Sequence, residues 1–285
     1  MHDLLQQVAR QRTALLMGIV NVTPNSFFDG GRYEEPEAAR SRVDALLRAG
    51  ADILDIGAES TKPGAPAIAA SEQIARVGSA LAWAVERGAL VSIDTASPEV
   101  ADYALGHGAG IVNDVTCLGT PELADVVARH SAALVISHSR APQSEMQGFS
   151  QWPDDAYADV VAEVLAELEQ ARSLALARGV RDDDVLFDPG IGFSKNARHS
   201  LTLLARMPEL VAHGVPLVIG TGRKSFIASL DGSRPEERLG GTIASSLFAA
   251  RHGAQILRVH DVAELRQALL VARALSAHCP PGAAC

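Results

Sequence analysis

Short apolar runs bounded by turn-forming residues recur along the chain at 14–20, 52–56, 90–94, 111–115, 133–138, 185–188, 216–220 and 255–260. They are continuously hydrophobic rather than alternating, which predicts strands buried on both faces, as in a parallel sheet. Segments of helical period separate them, at 35–49, 71–87, 98–108, 121–130, 155–179, 198–213, 236–251 and 261–277. Ser97-Pro98-Glu99 and Thr120-Pro121-Glu122 each set a capping hydroxyl before a proline suited to a first helical turn. Gly50, Gly88 and Gly179 fall where helices should stop.

Strand followed by helix, repeated eight times, allows an open doubly wound sheet or a closed barrel. Eight units within 285 residues favour closure, and predict an α/β protein built as one (β/α)8 TIM-barrel domain. Residues 1–13 would form an N-terminal extension and 279–285 a frayed tail.

Composition narrows the partners. With 34 acidic and 25 basic residues the net charge is −9, a field that repels nucleic acid and anionic membrane. No apolar run approaches the roughly 18 residues of a membrane span, and the first residues lack the order of a secretory signal. Cys117, Cys279 and Cys285 show neither paired nor zinc-binding spacing, as expected of reduced thiols in a cytoplasmic protein.

Active-site residues of such barrels lie at the C-terminal ends of strands and in the loops that follow. Those positions here are unusually polar: Asn21, Asp55, Asp94, Asn113-Asp114, His138-Ser139, Asp188 and Arg258-Val259-His260. Carboxylates in such places need a partner or a ligand, because an unpaired buried charge is costly. Three loops are rich in turn residues: 23–31, 59–65, and Thr221-Gly222-Arg223-Lys224-Ser225. Acceptors deep in a barrel with cations nearer its rim suit a nitrogen-rich ring that carries an anionic tail. Neither a phosphate-loop nor a dinucleotide-binding fingerprint is present.

Several strings together resemble the dihydropteroate synthase family. They are Met17-Gly18-Ile19-Val20-Asn21-Val22-Thr23-Pro24, Asp55-Ile56-Gly57-Ala58-Glu59-Ser60-Thr61-Lys62-Pro63-Gly64, Ser92-Ile93-Asp94-Thr95 and Asn113-Asp114, followed by Asp188-Pro189-Gly190-Ile191-Gly192-Phe193, Arg223-Lys224-Ser225 and Arg258-Val259-His260-Asp261. They run in family order from about residue 15 to 275. The resemblance implies condensation of 6-hydroxymethyl-7,8-dihydropterin pyrophosphate with p-aminobenzoate to give 7,8-dihydropteroate and pyrophosphate, with Mg2+ bound alongside the pyrophosphate. It also implies a homodimer.

By family position, Asp94, Asn113, Asp188, Phe193 and Lys224 would bind the pterin. Asn21, Thr61, Lys62, Arg258 and His260 would bind pyrophosphate, Asn21 also serving as the magnesium ligand. Phe27, Pro63 and Ser225, with Lys224, would frame p-aminobenzoate. The implied reaction resembles an SN1 process in which pyrophosphate leaves first, so Asp29, Asp94 and Lys224 are the expected catalytic residues.

The chain departs from the family at Lys62 for arginine, Ser139 for methionine, Gly222 for serine and Asn25 for aspartate. Lysine keeps the charge but loses the bidentate fork. Ser137-His138-Ser139 reads as structural, His107, His130, His213 and His252 as residues of solvated helix ends, and Arg181-Asp182-Asp183-Asp184 as a solvated turn. Two other readings compete: a methyltetrahydrofolate-type pterin-dependent methyltransferase, and a non-catalytic pterin-binding paralogue. The cationic strings argue against the first, and retention of Asn21, Asp29, Asp94, Lys224, Arg258 and His260 against the second.

Overall fold

In the computed structural model, which describes residues 14–22, 35–59, 68–141 and 151–278, the eight predicted strands form one parallel sheet. They are β1 (Leu15–Asn21), β2 (Ile53–Gly57), β3 (Leu90–Asp94), β4 (Ile111–Asp114), β5 (Ala133–Ser137), β6 (Val185–Asp188), β7 (Val218–Ile219) and β8 (Ile256–Val259). Consecutive strands pair from β1 to β6, and β8 lies between β1 and β7. A bridge between Phe187 and Leu217, with the Phe187 amide donating to the Pro216 carbonyl at 2.9 Å, joins β6 to the β7 edge and nearly closes the barrel.

The helices between them, among the described residues, are α1 (Glu35–Ala49), α2 (Ala70–Glu86), α3 (Pro98–Gly106), α4 (Glu122–His130), α5 (Val160–Ala177), α6 (Ala197–Ala205), α7 (Met207–Ala212), α8 (Ser225–Asp231), α9 (Leu239–Arg251) and α10 (Val262–Ala277). Ser97 caps α3 as its sequence predicts, accepting from the Val100 amide at 3.4 Å. Thr120 does not cap α4 through its side chain, because Pro121 itself takes the cap position. The backbone turns left-handed at Gly50, Gly88 and Gly179, where the helices were expected to stop.

Some predicted boundaries moved. The 155–179 helix begins at Val160, where the Asp159 carboxylate accepts from the Val161 and Ala162 amides at 2.9 and 3.1 Å. The 198–213 segment breaks at Arg206 into α6 and α7, with Pro208 in the first turn of α7. Ser225, read from sequence as the end of a loop, instead opens the short helix α8, which runs to Asp231.

Side chains divide the barrel into two apolar shells. Leu16, Leu54, Val91, Val112 and Leu134 face outward into the layer between strands and helices, while Met17, Ile53, Ile111, Val135, Leu186 and Ile256 fill the barrel interior. Because side chains alternate along a strand, two residues beyond Ile53, Ile111, Leu186 and Ile256 the inward positions are Asp55, Asn113, Asp188 and Arg258. The interior is therefore greasy toward the N-terminal ends and polar toward the C-terminal ends.

Candidate active site

The polar layer is assembled by strand register. Asp55 pairs with Ser92, Gly57 with Asp94, and Asp94 with Asn113. Gly57 eases this arrangement, since a Cβ there would stand 3.2 Å from the Asp94 Cβ, a tight approach. Into the same layer β8 sends Arg258, whose Nε donates to Asp55 Oδ2 and whose Nη2 donates to Asp94 Oδ2, both at 2.6 Å. Asn113 Nδ2 donates to Asp55 Oδ2 at 3.1 Å. Asp55 Oδ1 and Ser92 Oγ are buried with no hydrogen-bond partner among the described residues.

Burial is the dominant influence on this cluster. It pushes the Asp94 carboxyl up to about 7, although Arg258 pulls the other way and Asp55 adds to the rise. Burial likewise works against the charge of Arg258, but the carboxylates of Asp55 and Asp94 outweigh it and hold the guanidinium above its ordinary value. Two carboxylates facing one guanidinium leave an excess of negative charge where ring N–H donors could be received.

β6 adds a second acceptor. Asp188 Oδ1 accepts from the Gly190 amide at 2.7 Å, and burial raises its carboxyl while Lys224 counteracts the rise. Lys224 precedes α8, donates to the Ile191 carbonyl, and sets its ammonium 4.6 Å from the centroid of the Phe193 ring. Burial lowers the Lys224 ammonium to about 8, and the Asp188 charge opposes that shift. Asp188, Phe193 and Lys224 thus form one wall of the barrel mouth, and Arg258 faces Asp188 as well as Asp55 and Asp94.

Asn21 ends β1 opposite Gly57 in register. His260 follows β8, and its carbonyl accepts from Arg42 Nη2 at 2.8 Å. Its imidazole is held down to about 4, first by burial and then by Arg258 and Arg42, so near neutral pH the ring is uncharged and can donate one hydrogen bond. Ser225 opens α8 directly after Lys224.

Several sequence candidates take other positions. Arg223, counted among the cations, turns away from the mouth and grips Asp261 through Nε and Nη2 at 2.9 and 2.7 Å. It therefore ties the β7 loop to the β8 loop and is not the anion-binding group its neighbourhood suggested. Of Asn113-Asp114, Asn113 faces inward; Asp114 holds the following loop, accepting from Thr116 Oγ1 at 2.6 Å and the Leu118 amide at 2.5 Å. Ser139 donates to the Ala141 carbonyl at 2.6 Å. At Gly222 a Cβ would meet nothing closer than 3.8 Å, so loss of a serine there frees no crowded space. Phe27, Asp29, Thr61, Lys62 and Pro63 lie outside the described residues.

The histidines also separate by setting. His107 and His252 stack on Tyr103 and Phe248 at helix ends, His130 faces Asp102 at 2.7 Å, and His213 faces Glu169 at 3.1 Å. His138, in contrast, is fully buried. Sequence reasoning missed its neighbour Lys195, which is buried beneath the site; the signal available was a lysine two residues after the Asp188–Phe193 string.

The model of pterin binding enzymes matches residues 17–260, a span that takes in every polar strand end described above. The chain belongs to the dihydropteroate synthase family. It is 41% identical over 265 residues to the dihydropteroate synthase of Mycobacterium leprae, covering 90% of this chain and 91% of that one. Two solved structures of the Xanthomonas albilineans dihydropteroate synthase superpose closely. One, with 4-aminobenzoic acid, has a TM-score of 0.84 at 40% identity and covers 94% of each chain. The other, in complex with 7,8-dihydropteroate, has a TM-score of 0.83 at 38% identity, covering 94% of this chain and 95% of the other. Members of the dihydropteroate synthase family are transferases of folate biosynthesis, and the barrel described here is that of such an enzyme.

Proposed function

We propose that this barrel joins 6-hydroxymethyl-7,8-dihydropterin pyrophosphate to p-aminobenzoate, releasing pyrophosphate and 7,8-dihydropteroate. The observation that carries the reading is the polar cluster at the barrel mouth in which Asp94, Asn113 and Asp188 stand with Lys224 and Arg258. Asp94, Asn113 and Asp188 receive the amino and ring N–H donors of the pterin, and Lys224 meets its carbonyl. Phe193 closes one face of the ring.

Departure of pyrophosphate needs positive charge at the leaving oxygens, which Arg258, neutral His260 as a donor, Thr61 and Lys62 supply. The electron-poor methylene left on the pterin is stabilised by the negative charge of Asp94 and Asp29, and the arylamine then attacks it. Phe27, Pro63, Lys224 and Ser225 frame p-aminobenzoate, with the Ser225 hydroxyl toward its carboxylate.

Among the described residues no cluster of three or more His, Cys, Asp or Glu is placed to hold a metal. Asn21 nevertheless offers one amide oxygen at the mouth, which fits a Mg2+ that keeps several waters and takes its remaining ligands from the substrate. Bound there, Mg2+ would neutralise charge on the pyrophosphate.

Exposed Phe248 and Leu275, which line a groove between α9 and α10, and exposed Leu270 and Val271 on α10 support a homodimer. No helix among the described residues is long and apolar enough to cross a membrane. The half-buried free thiol of Cys117 accords with a reducing cytoplasm.

The test is direct. Purified protein given the pterin pyrophosphate, Mg2+ and p-aminobenzoate should release pyrophosphate and dihydropteroate in equal amounts. Failure to form product beside a working family member would reject the reading.

A further inference from the structure

His138, Glu167 and Lys195 have no part in the proposed reaction, yet they form one largely buried chain of polar groups. Lys195 is 1% exposed. Its Nζ donates to the Phe193 carbonyl at 3.0 Å and lies 2.8 Å from His138 Nδ1. His138 Nε2 lies 2.9 Å from Glu167 Oε2, and Arg140 holds Glu167 from the other side. A carboxylate only accepts, so the imidazole proton sits on Nε2 and Nδ1 accepts from the Lys195 ammonium.

An ammonium in the interior is costly and persists only where it is compensated. Here the compensation comes from the Phe193 carbonyl, the His138 ring, and the charges of Asp188 and Glu167. The ammonium also lies under the turn that carries Asp188 and Phe193. Gly190 has φ +67°, and a Cβ on it would stand 2.0 Å from the His138 carbonyl oxygen and 3.3 Å from Lys195 Nζ. Lys195 is therefore on the protein side of the site and does not reach the cavity.

We propose that Lys195 is a positioning residue for the pterin: it pins the Asp188-to-Phe193 turn from beneath, and its charge backs Asp188 so that an ionised carboxylate meets the ring's N–H donors. This rests on the pterin reading above and deepens it.

The groups that face Asp188 are Lys224, Arg258, Lys195 and the Gly190 amide. Those that face Lys195 are Asp188, Lys224, Cys117, Glu167 and His138. Burial pushes Lys195 down to about 7, with Asp188 opposing and Lys224 adding to the fall. Burial pushes Asp188 up, and Lys195 is one of the cations that resists. Removing the Lys195 charge lets Asp188 hold its proton to higher pH, so the acid side of pterin binding moves upward.

The experiment is calorimetric titration of bare 6-hydroxymethylpterin, from about pH 6 to about pH 9, into the unmodified protein, Lys195→Met and Lys195→Arg. Lys195→Met should bind about tenfold more weakly at neutral pH and shift the acid limb about one unit upward. Lys195→Arg, which retains the charge, should return the limb toward its original position. A folded Lys195→Met variant with unchanged affinity and pH profile overturns the inference while leaving the pterin reading in place. If the unmodified protein does not bind the bare pterin, the reading itself falls.

Should Lys195→Met not fold, Glu167→Gln serves in the same titration. It keeps an acceptor for His138 Nε2 but removes an anion that favours the Lys195 ammonium. With the Lys195 ammonium less favoured, the acid limb of pterin binding should move upward in the direction seen for Lys195→Met; an unaltered profile overturns the inference.

Discussion

Arg258 on β8 and Asp94 on β3 meet at 2.6 Å although β1 and β2 separate their strands in the sheet. The contact spans the barrel interior, so one guanidinium ties together the β2, β3 and β8 contributions to the site. It also gives Arg258 a part in ordering the acceptors beside its proposed contact with pyrophosphate.

Arg258→Met should therefore act on stability. Leaving Asp55 and Asp94 buried without their shared cation should cost about 3 to 5 kcal/mol of stability, measured by urea denaturation. Arg258→Lys, which retains a charge, should be milder in stability and weaken binding of the pyrophosphate-bearing pterin more than of the bare pterin. Equal losses for the two ligands would contradict the proposed pyrophosphate contact.

Asp94→Asn should lower kcat by about a hundredfold or more while preserving the fold. Its effect on stability depends on pH with a definite sign. In the folded protein burial pushes the Asp94 carboxyl up to about 7, against an ordinary 3.8. Between those values the folded protein holds a proton that the unfolded chain has released. The contribution of Asp94 is complete below the lower value and is lost as pH rises toward the upper one. The stability of Asp94→Asn relative to the unmodified protein should thus improve as pH is raised through that window, as read from paired melting curves.

Gly190→Ala should be among the most damaging single substitutions. It combines a left-handed φ of +67° with a Cβ 2.0 Å from the His138 carbonyl oxygen. The expected cost is about 3 kcal/mol or more. Gly232→Ala is the control, since φ is +74° but nothing lies within 4 Å of the added carbon. Strain alone should cost about 1 kcal/mol there.

Adjacent Arg223 and Lys224 should part company in experiment. Arg223→Ala breaks a partly exposed bidentate clamp on Asp261 and should cost about 1 kcal/mol, with little change in pterin affinity. Lys224→Ala should leave the melting temperature nearly unchanged and weaken pterin binding about tenfold or more. Calorimetry and thermal melts on the same samples distinguish them.

The contrast between Arg223 and Lys224 also shows what a sequence can disclose. Ile53, Ile111, Leu186 and Ile256 made their strands visible because apolar residues buried on both faces leave an uninterrupted run, and Asp55, Asn113, Asp188 and Arg258 broke those runs at the functional end. Which of two neighbouring cations enters a cavity depends on the turn between β7 and α8, where Arg223 has a φ of +51°. No periodicity reports such a turn. α8 itself was missed because seven residues are too few to display a helical period, and the α6–α7 break because Arg206 interrupts a pattern that stays amphipathic on both sides. Lys195 drew no notice in the sequence because its burial depends on the distant partners His138 and Glu167.

The short β7 and its lone bridge to β6 have a further consequence. Asp188 ends β6, and Lys224 follows β7, so the loosest join in the ring of strands lies between two groups proposed to grip the same ring. Spontaneous opening of the native state should begin at that join, with the Phe187 amide among the first strand protons to exchange. A pterin held by Asp188 and Lys224 would act as a clasp across the gap, coupling occupancy of the pocket to the mechanical integrity of the whole cylinder.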